Sequence, residues 1–520
     1  MKLERTKNAT RNFFVGLLFR IYQIIMPFII RTALIYTLGV EYLGLNSLFT
    51  SILQVLNLAE LGVGTAMVYS MYKPIADGDK EKICALMGLY RKYYHIIGII
   101  ILVAGLGIIP FLKFFVKTDT VPNDINIYIL YLINLVSTVT SYWLFAYKNC
   151  LFTAFQRNDI SFQINIVVLT FGYIMQLAVL IILKNYYIYT IILVIISLTT
   201  NIVTAIVADK RYPEYKAKGT VDIKEIKQIN KKVKDLFTAR LGGTIVGSAD
   251  TIVISSFLGL SVLAIYQNYY YIMSAVISII MIMFSSTLAG IGNSLVTESE
   301  EKNYGDFRKF AFIINWIAII AISCFFGLYQ PAIELWVGKA LMLDYSYVIL
   351  FCVYFYVFII QQLACVYKDA GGIWHNDRFR PLVAGIVNLG LNLLLVKWFG
   401  LYAIMLSTII SYIFVAIPWL IHNLFSTVFH SGKKEYIVSL LRNSFTAIIV
   451  GSIVYFVCQF INGNLIITII IKLIVCVTVS NLLLVFFYRH ENYYNQMLDL
   501  FDNMSKKRFH TIVVRFKYMK

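Results

Sequence analysis

The chain has 520 residues, 59% of them apolar and only 14% charged, with 45 Lys and Arg against 27 Asp and Glu for a net charge of +18. This composition excludes a string of soluble domains and points to one polytopic membrane domain. The positive charge lies in short connections between apolar runs, which excludes nucleic acid as a partner and favours the anionic inner leaflet, at about 1 kcal/mol per juxtamembrane cation.

Apolar stretches of about 20 residues are long enough to cross hydrocarbon, and fourteen are expected. The first seven run 13–38, 45–72, 93–112, 126–152, 162–183, 188–208 and 236–258. The second seven run 262–295, 310–329, 347–367, 382–396, 401–421, 444–461 and 465–488. The first run is too long for a cleavable leader and is expected to stay as a helix. With these spans marked, 36 cations fall on one side, and only Lys113, Lys117, Lys184, Lys339 and Lys397 fall on the other. The positive-inside rule then places both termini in the cytoplasm. Arg20, Arg31, Arg240 and Lys472 belong to neither side, because they lie within spans.

The longest connection, 209–235, divides the chain after span six, and two weak internal matches flank it. Leu38-Gly-Val-Glu-Tyr-Leu43 aligns with Leu258-Gly-Leu-Ser-Val-Leu263, and the stretch from Lys184 to Ser197 aligns without gaps with that from Lys397 to Ile410. Both relate spans one to six to spans seven to twelve. An even number of spans per copy makes the repeat parallel, as in transporters whose substrate path lies between two halves. The expected organisation is an N-terminal lobe over 1–208, a cytoplasmic linker over 209–235 and a C-terminal lobe over 236–421. Two extra helices over 422–488 and a basic cytoplasmic tail over 489–520 follow. The connection around Lys82, the linker and the tail mix cations with apolar residues at helical intervals, as surface-lying helices do.

Seven cysteines without a C-x-x-C pair, mostly inside apolar runs, read as packing residues and not as disulfides or metal ligands. Six histidines show no metal spacing. The 37 tyrosines include Tyr269-Tyr-Tyr271 inside span eight; sugar-stacking surfaces are one reading, and an interfacial belt accounts for most of them.

Leu58-Ala-Glu-Leu-Gly-Val-Gly-Thr-Ala66, followed by Ile75-Ala-Asp-Gly-Asp-Lys-Glu-Lys82, resembles the polysaccharide-unit flippases, the Wzx-type branch of the multidrug/oligosaccharidyl-lipid/polysaccharide exporter superfamily. So does Val387-Asn-Leu-Gly-Leu-Asn-Leu-Leu-Leu-Val396 with Phe399-Gly-Leu401. The resemblance covers nearly the whole chain. Tyr402 and Ile404 depart from it, standing where small residues are usual in span twelve. It implies an all-α transport core of two six-helix lobes plus two extra helices in the bacterial cytoplasmic membrane. The implied substrate is an oligosaccharide on undecaprenyl diphosphate, moved from the inner to the outer leaflet. A polymerase and a chain-length regulator are the implied protein partners.

A diphosphate calls for cations within the membrane, where each costs about 2.5 to 3.5 kcal/mol on insertion scales. Arg20 and Arg31 lie eleven residues apart, which sets them on one face of span one, roughly 16 Å apart in depth. They form either a cationic ladder for phosphate or two side chains snorkelling in opposite directions. Arg240 lies nearer the inner edge and snorkels or joins the same path. Lys472 interrupts span fourteen, where a lipid-tail groove is conceivable. Glu60 in span two and Asp250 in span seven are candidates for taking up H⁺ or Na⁺, or for structural charge pairing. Asn134, Asn165, Gln176, Gln361, Gln362, Asn388 and Asn392 read as helix-to-helix hydrogen bonds. No cofactor is expected beyond a transported ion.

Two other functions remain open. One is export of another superfamily substrate, a lipid-linked peptidoglycan precursor or a drug; cations outnumbering acids in the spans argue against drug cations. The other is a membrane polymerase or glycosyltransferase, against which stand outer connections of at most about fifteen residues, with no convincing catalytic pair among Asp119, Asp124, Glu334 and Asp344.

Overall fold

Backbone groups in hydrocarbon have no water to bond, so apolar runs close their hydrogen bonds within one helix. In the computed structural model, which describes residues 5–60 and 62–504, every regular element is helical. Among the described residues, twelve helices are long and apolar enough to span a membrane, and thirteen if the pair Ile127–Trp143 and Ala146–Ala154, bent by 49°, is one span. The span expected over 236–258 appears as the shorter apolar stretch Leu241–Phe257, at the end of a helix that starts well before it. The protein is an all-α multi-pass membrane protein.

Two compact units divide the chain, Met1–Ala264 with Asn392–Leu401, and Ile265–Leu391 with Tyr402–Lys520. The first holds α1 (Arg5–Thr37), α2 (Val40–Leu56), α3 (Val63–Asp77), α4 (Lys80–Ile108), α5 (Leu112–Phe115), α6 (Ile127–Trp143), α7 (Asn149–Ala154), α8 (Asn158–Ala178), α9 (Tyr186–Arg211) and α10 (Ile223–Phe257). Along α1, Phe19 stacks on Phe162 of α8 at 5.4 Å and the Tyr22 hydroxyl shares a hydrogen bond with Thr170 at 2.8 Å. Tyr131 of α6 is fully buried and donates to the carbonyl of Gly105 on α4 at 2.9 Å. Tyr42 donates to Asp124 at 2.5 Å, which gives that acid a structural partner.

The expected linker is not a loose connection. Its second half is the start of α10, where Asp222 caps the helix by accepting from Lys224 N–H at 3.1 Å. Its first half is pinned: Tyr212 stacks on Phe155 at 4.8 Å, Lys80 bonds Glu214 at 2.7 Å, and Lys148 pairs with Asp209. The first internal match has a local counterpart in structure. Gly39 and Gly259 both adopt a positive φ, 125° and 97°, and each bonds five residues back, to Leu34 at 3.2 Å and to Ile254 at 3.0 Å. The second match is looser, since the left-handed residues are Lys184 and Gly400, three positions out of step in that alignment.

The second unit holds most of α11 (Leu260–Thr297), then α12 (Glu300–Val337), α13 (Tyr345–Ala370), α14 (Trp374–Asp377), α15 (Arg380–Phe399, whose end joins the first unit), α16 (Leu401–Ser411), α17 (Ile417–Thr427), α18 (Lys433–Gln459), α19 (Leu465–Tyr488) and α20 (Asn492–Met504). The last two expected spans, α18 and α19, pack against α12. Gly327 allows this: a Cβ there would lie 2.6 Å from Cys476 Sγ and 3.0 Å from Cys458 Sγ. These cysteines are free thiols filling small gaps. Tyr494 of α20 stacks on Trp316 at 5.7 Å, so the start of the tail is helical and docked; 505–520 lie outside the described residues. More than half of the 37 tyrosines are buried. Tyr269 is the type case: it stacks on Phe351 at 5.7 Å, donates to Gln330 at 3.0 Å and accepts from the Leu343 amide at 3.0 Å.

Candidate functional site

Span two is not the single helix its apolar run suggests. After α2 the backbone tightens into a 3₁₀ turn over Asn57–Glu60, and Gly62, with φ at 90°, precedes the start of α3. A left-handed residue ends helical hydrogen bonding, and glycine tolerates it at no steric cost. Glu60 therefore sits at a break roughly halfway along the 38-residue stretch Val40–Asp77. In transporters such interruptions expose backbone and side-chain dipoles to a transported ligand.

Three tyrosines gather at this break. Tyr90 donates to Tyr94 at 2.6 Å, and Tyr94 donates to Glu60 Oε1 at 3.4 Å. Tyr142 of α6 meets the Tyr94 ring edge-on at 5.3 Å and donates to Asn57 Oδ1 at 3.3 Å. Space for the cluster comes from Gly64, where a Cβ would lie 2.9 Å from Tyr90 Oη and 3.1 Å from Glu60 Oε1. Tyr90 and Tyr94 are buried while Glu60 is half-buried, so a chain of hydroxyls runs from the packed interior to a partly accessible carboxylate. Such a chain can stabilise a negative charge or pass a proton.

The two arginines of α1 occupy different surroundings. Arg20 is exposed, whereas Arg31 is half-buried and lies close enough to Tyr189 of α9 to act on its hydroxyl electrostatically. Pro27 stands between them and interrupts the hydrogen-bond ladder of α1. Asp250 on α10 is buried, and Asn392 donates to its Oδ1 at 2.7 Å. Arg240 lies on α10, with its side chain outside the described part of the structure. Lys472 on α19, in the second unit, is half-buried near the Cys458 sulfur. Of the six candidates, Lys472 lies in the second unit and the other five in the first.

Of the amides expected between helices, Asn388 donates to Thr408 at 2.9 Å and Asn392 to Asp250, both across helices. Asn134 and Asn165 instead bond carbonyls of their own helices, at 2.9 and 2.8 Å.

The sequence profile of a family described as "Polysaccharide biosynthesis protein" matches residues 9–289, more than half of the chain. The chain belongs to that family. Its fold is similar to that of an inward-facing multidrug resistance MATE family transporter of the MOP superfamily, with a TM-score of 0.60 at 13% identity, covering 82% of this chain and 99% of that one. It is also similar to the lipid II flippase MurJ in an inward closed conformation, with a TM-score of 0.59 at 15% identity, covering 93% and 99%. An outward-facing MATE transporter gives 0.53 at 14% identity, covering 81% and 95%. No curated protein matches the chain in sequence. At these identities the likeness is one of fold alone.

In this polysaccharide biosynthesis protein the matched stretch contains Arg20, Arg31, Glu60, Arg240 and Asp250, and leaves out Lys472. It also contains the three tyrosines, which the sequence reading passed over. Gly62 and Gly64 flanking a charged span were a readable sign of a break. Tyr90 and Tyr94 stand one helical turn apart, but nothing in the sequence sets Tyr142 beside them.

Proposed function

We propose that the protein is a flippase that moves an undecaprenyl-diphosphate-linked oligosaccharide from the inner to the outer leaflet for surface polysaccharide synthesis. The observation that carries this is the pairing of a polysaccharide biosynthesis family with an exporter fold. A sugar headgroup crossing bare hydrocarbon leaves polar groups unsatisfied at several kcal/mol each, so a polar path is needed and alternating access supplies one. In this reading the cation-rich connections and both termini are cytoplasmic, with Arg31 and Arg20 receiving the diphosphate and Arg240 and Lys472 in supporting places. Glu60, fed by Tyr94 and Tyr90, takes up H⁺ or Na⁺, and Asp250 serves as a second exchange or pairing site. The membrane potential supplies about 2.3 kcal/mol per charge per 100 mV.

Deleting the protein from its host tests the reading. Unpolymerised lipid-linked units accumulating in the cytoplasmic leaflet are the expected result; accumulation in the outer leaflet would assign the block to polymerisation instead. Arg31→Ala with undiminished surface polysaccharide would remove that residue from the path. The second reading, another exported substrate, draws on the fold shared with a multidrug transporter and with a protein titled a lipid II flippase. It predicts intact surface polysaccharide on deletion, with drug sensitivity or loss of cell-wall precursor in its place.

A further inference from the structure

A groove of about 700 Å³ runs along α8 and α9 of the first unit. Its floor is low because Gly172 has no side chain: a Cβ there would lie 2.3 Å from Ile196. Val168 and Ile192 continue the floor, and the rim is open, with Phe171 67% and Val167 56% exposed. One end is wholly apolar. The other carries Arg11, Arg157 and Arg211 against a single acid, Asp159. That acid is buried and committed to its neighbours: it receives Arg157 Nε at 2.9 Å and Nη2 at 3.1 Å and stands 2.9 Å from Arg11 Nε. Three cations and one anion leave this mouth positive, and the start of α8 adds its partial positive charge there.

Length settles which lipid fits. From Asp159 to Met175 the groove follows sixteen residues of helix, roughly 24 Å at 1.5 Å per residue. One leaflet with its headgroups is about 20 to 22 Å deep. The groove is therefore one leaflet deep, with its charge at headgroup level and its apolar end near the midplane, and it is far shorter than an undecaprenyl chain.

We infer that this groove binds one anionic glycerophospholipid of the inner leaflet, its phosphate at Arg157 and Arg211 and an acyl chain over Val168, Gly172 and Ile196. The assignment to the inner leaflet rests on the orientation proposed above. Surrounding lipid is as apolar as the groove, so chain packing confers residence while the arginines confer headgroup choice.

The test is native mass spectrometry of the full-length protein, stripped of lipid in detergent and offered phosphatidylglycerol or phosphatidylethanolamine. One phosphatidylglycerol is expected to stay bound under activation that removes phosphatidylethanolamine. Arg211→Gln changes an exposed cation that the buried Asp159 pairs do not use, and should lower phosphatidylglycerol affinity about fivefold without altering thermal stability. Thr199→Trp, filling the groove midway, should abolish retention of both lipids. Equal retention of the two headgroups, or unchanged retention in Arg211→Gln, overturns the site. Displacement of phosphatidylglycerol by undecaprenyl phosphate also overturns it, by assigning the groove to the transported lipid. Retention is read without transport, so it stands or falls apart from the leaflet assay.

Discussion

Asp377 in the second unit is buried and Glu60 in the first half-buried, and their surroundings are built differently. Asp377 receives Nε and Nη2 of Arg380 at 2.7 and 2.9 Å, with Lys368 at 3.6 Å and Asn423 donating at 3.5 Å. Its main partner stands three residues away, so the pair is made whenever that short segment is made. Glu60 meets a hydroxyl from 34 residues away at 3.4 Å, beside a backbone break and a glycine. Contacts of that kind depend on how two helix pieces are set against α4. A local, bidentate pair holds its charge constant; a distant, longer one can change with conformation.

The largest expected effect breaks the closed side of this comparison. Asp377→Ala strands the buried Arg380 guanidinium and should cost about 3 to 5 kcal/mol, read as a lower thermal midpoint and poor folded yield. An unchanged midpoint would show the two acids to be alike. Gly64→Val drives a side chain against Tyr90 and Glu60, for about 1 to 3 kcal/mol and lost surface polysaccharide. Glu60→Gln keeps the shape and should alter stability by about 1 kcal/mol or less while lowering flipping at least tenfold. Full flipping in that variant would leave the break as mere architecture.

Smallest is Lys80→Gln. The Lys80 ammonium, bonded to Glu214, holds that carboxyl below its ordinary value of 4.5. A lowered folded-state value means that the contribution is present above the ordinary value and fades as pH falls through the lowered one. The pair is exposed, so no measurable change in midpoint is expected at neutral pH. A clear drop there would show the pinned loop to matter more than the pair's exposure suggests.

Span positions were legible because hydrocarbon demands long apolar runs, and the all-α fold followed from them. The break at Glu60 was less plain, since apolar composition continues through it and only Gly62 and Gly64 mark it in the sequence. α10 extends through a stretch rich in Lys because cations on a helix outside hydrocarbon cost nothing, so charge did not mark its start. For the site, the intramembrane charges stood out singly, but which of them share surroundings is a matter of packing. Arg20 and Arg31 show this, matched in helical phase yet divided by Pro27 and by burial.

The hydrogen bond from Asn392 to Asp250 sets a schedule for biosynthesis. The two residues are 142 positions apart, and the first unit is closed by Asn392–Leu401. A ribosome must therefore make about half of the second unit, residues 265–391, before the first can be completed. Until then α10 waits in the membrane with its buried acid unmatched by that amide. Fragments cut at the 209–235 connection, each expressed alone, would carry this debt permanently.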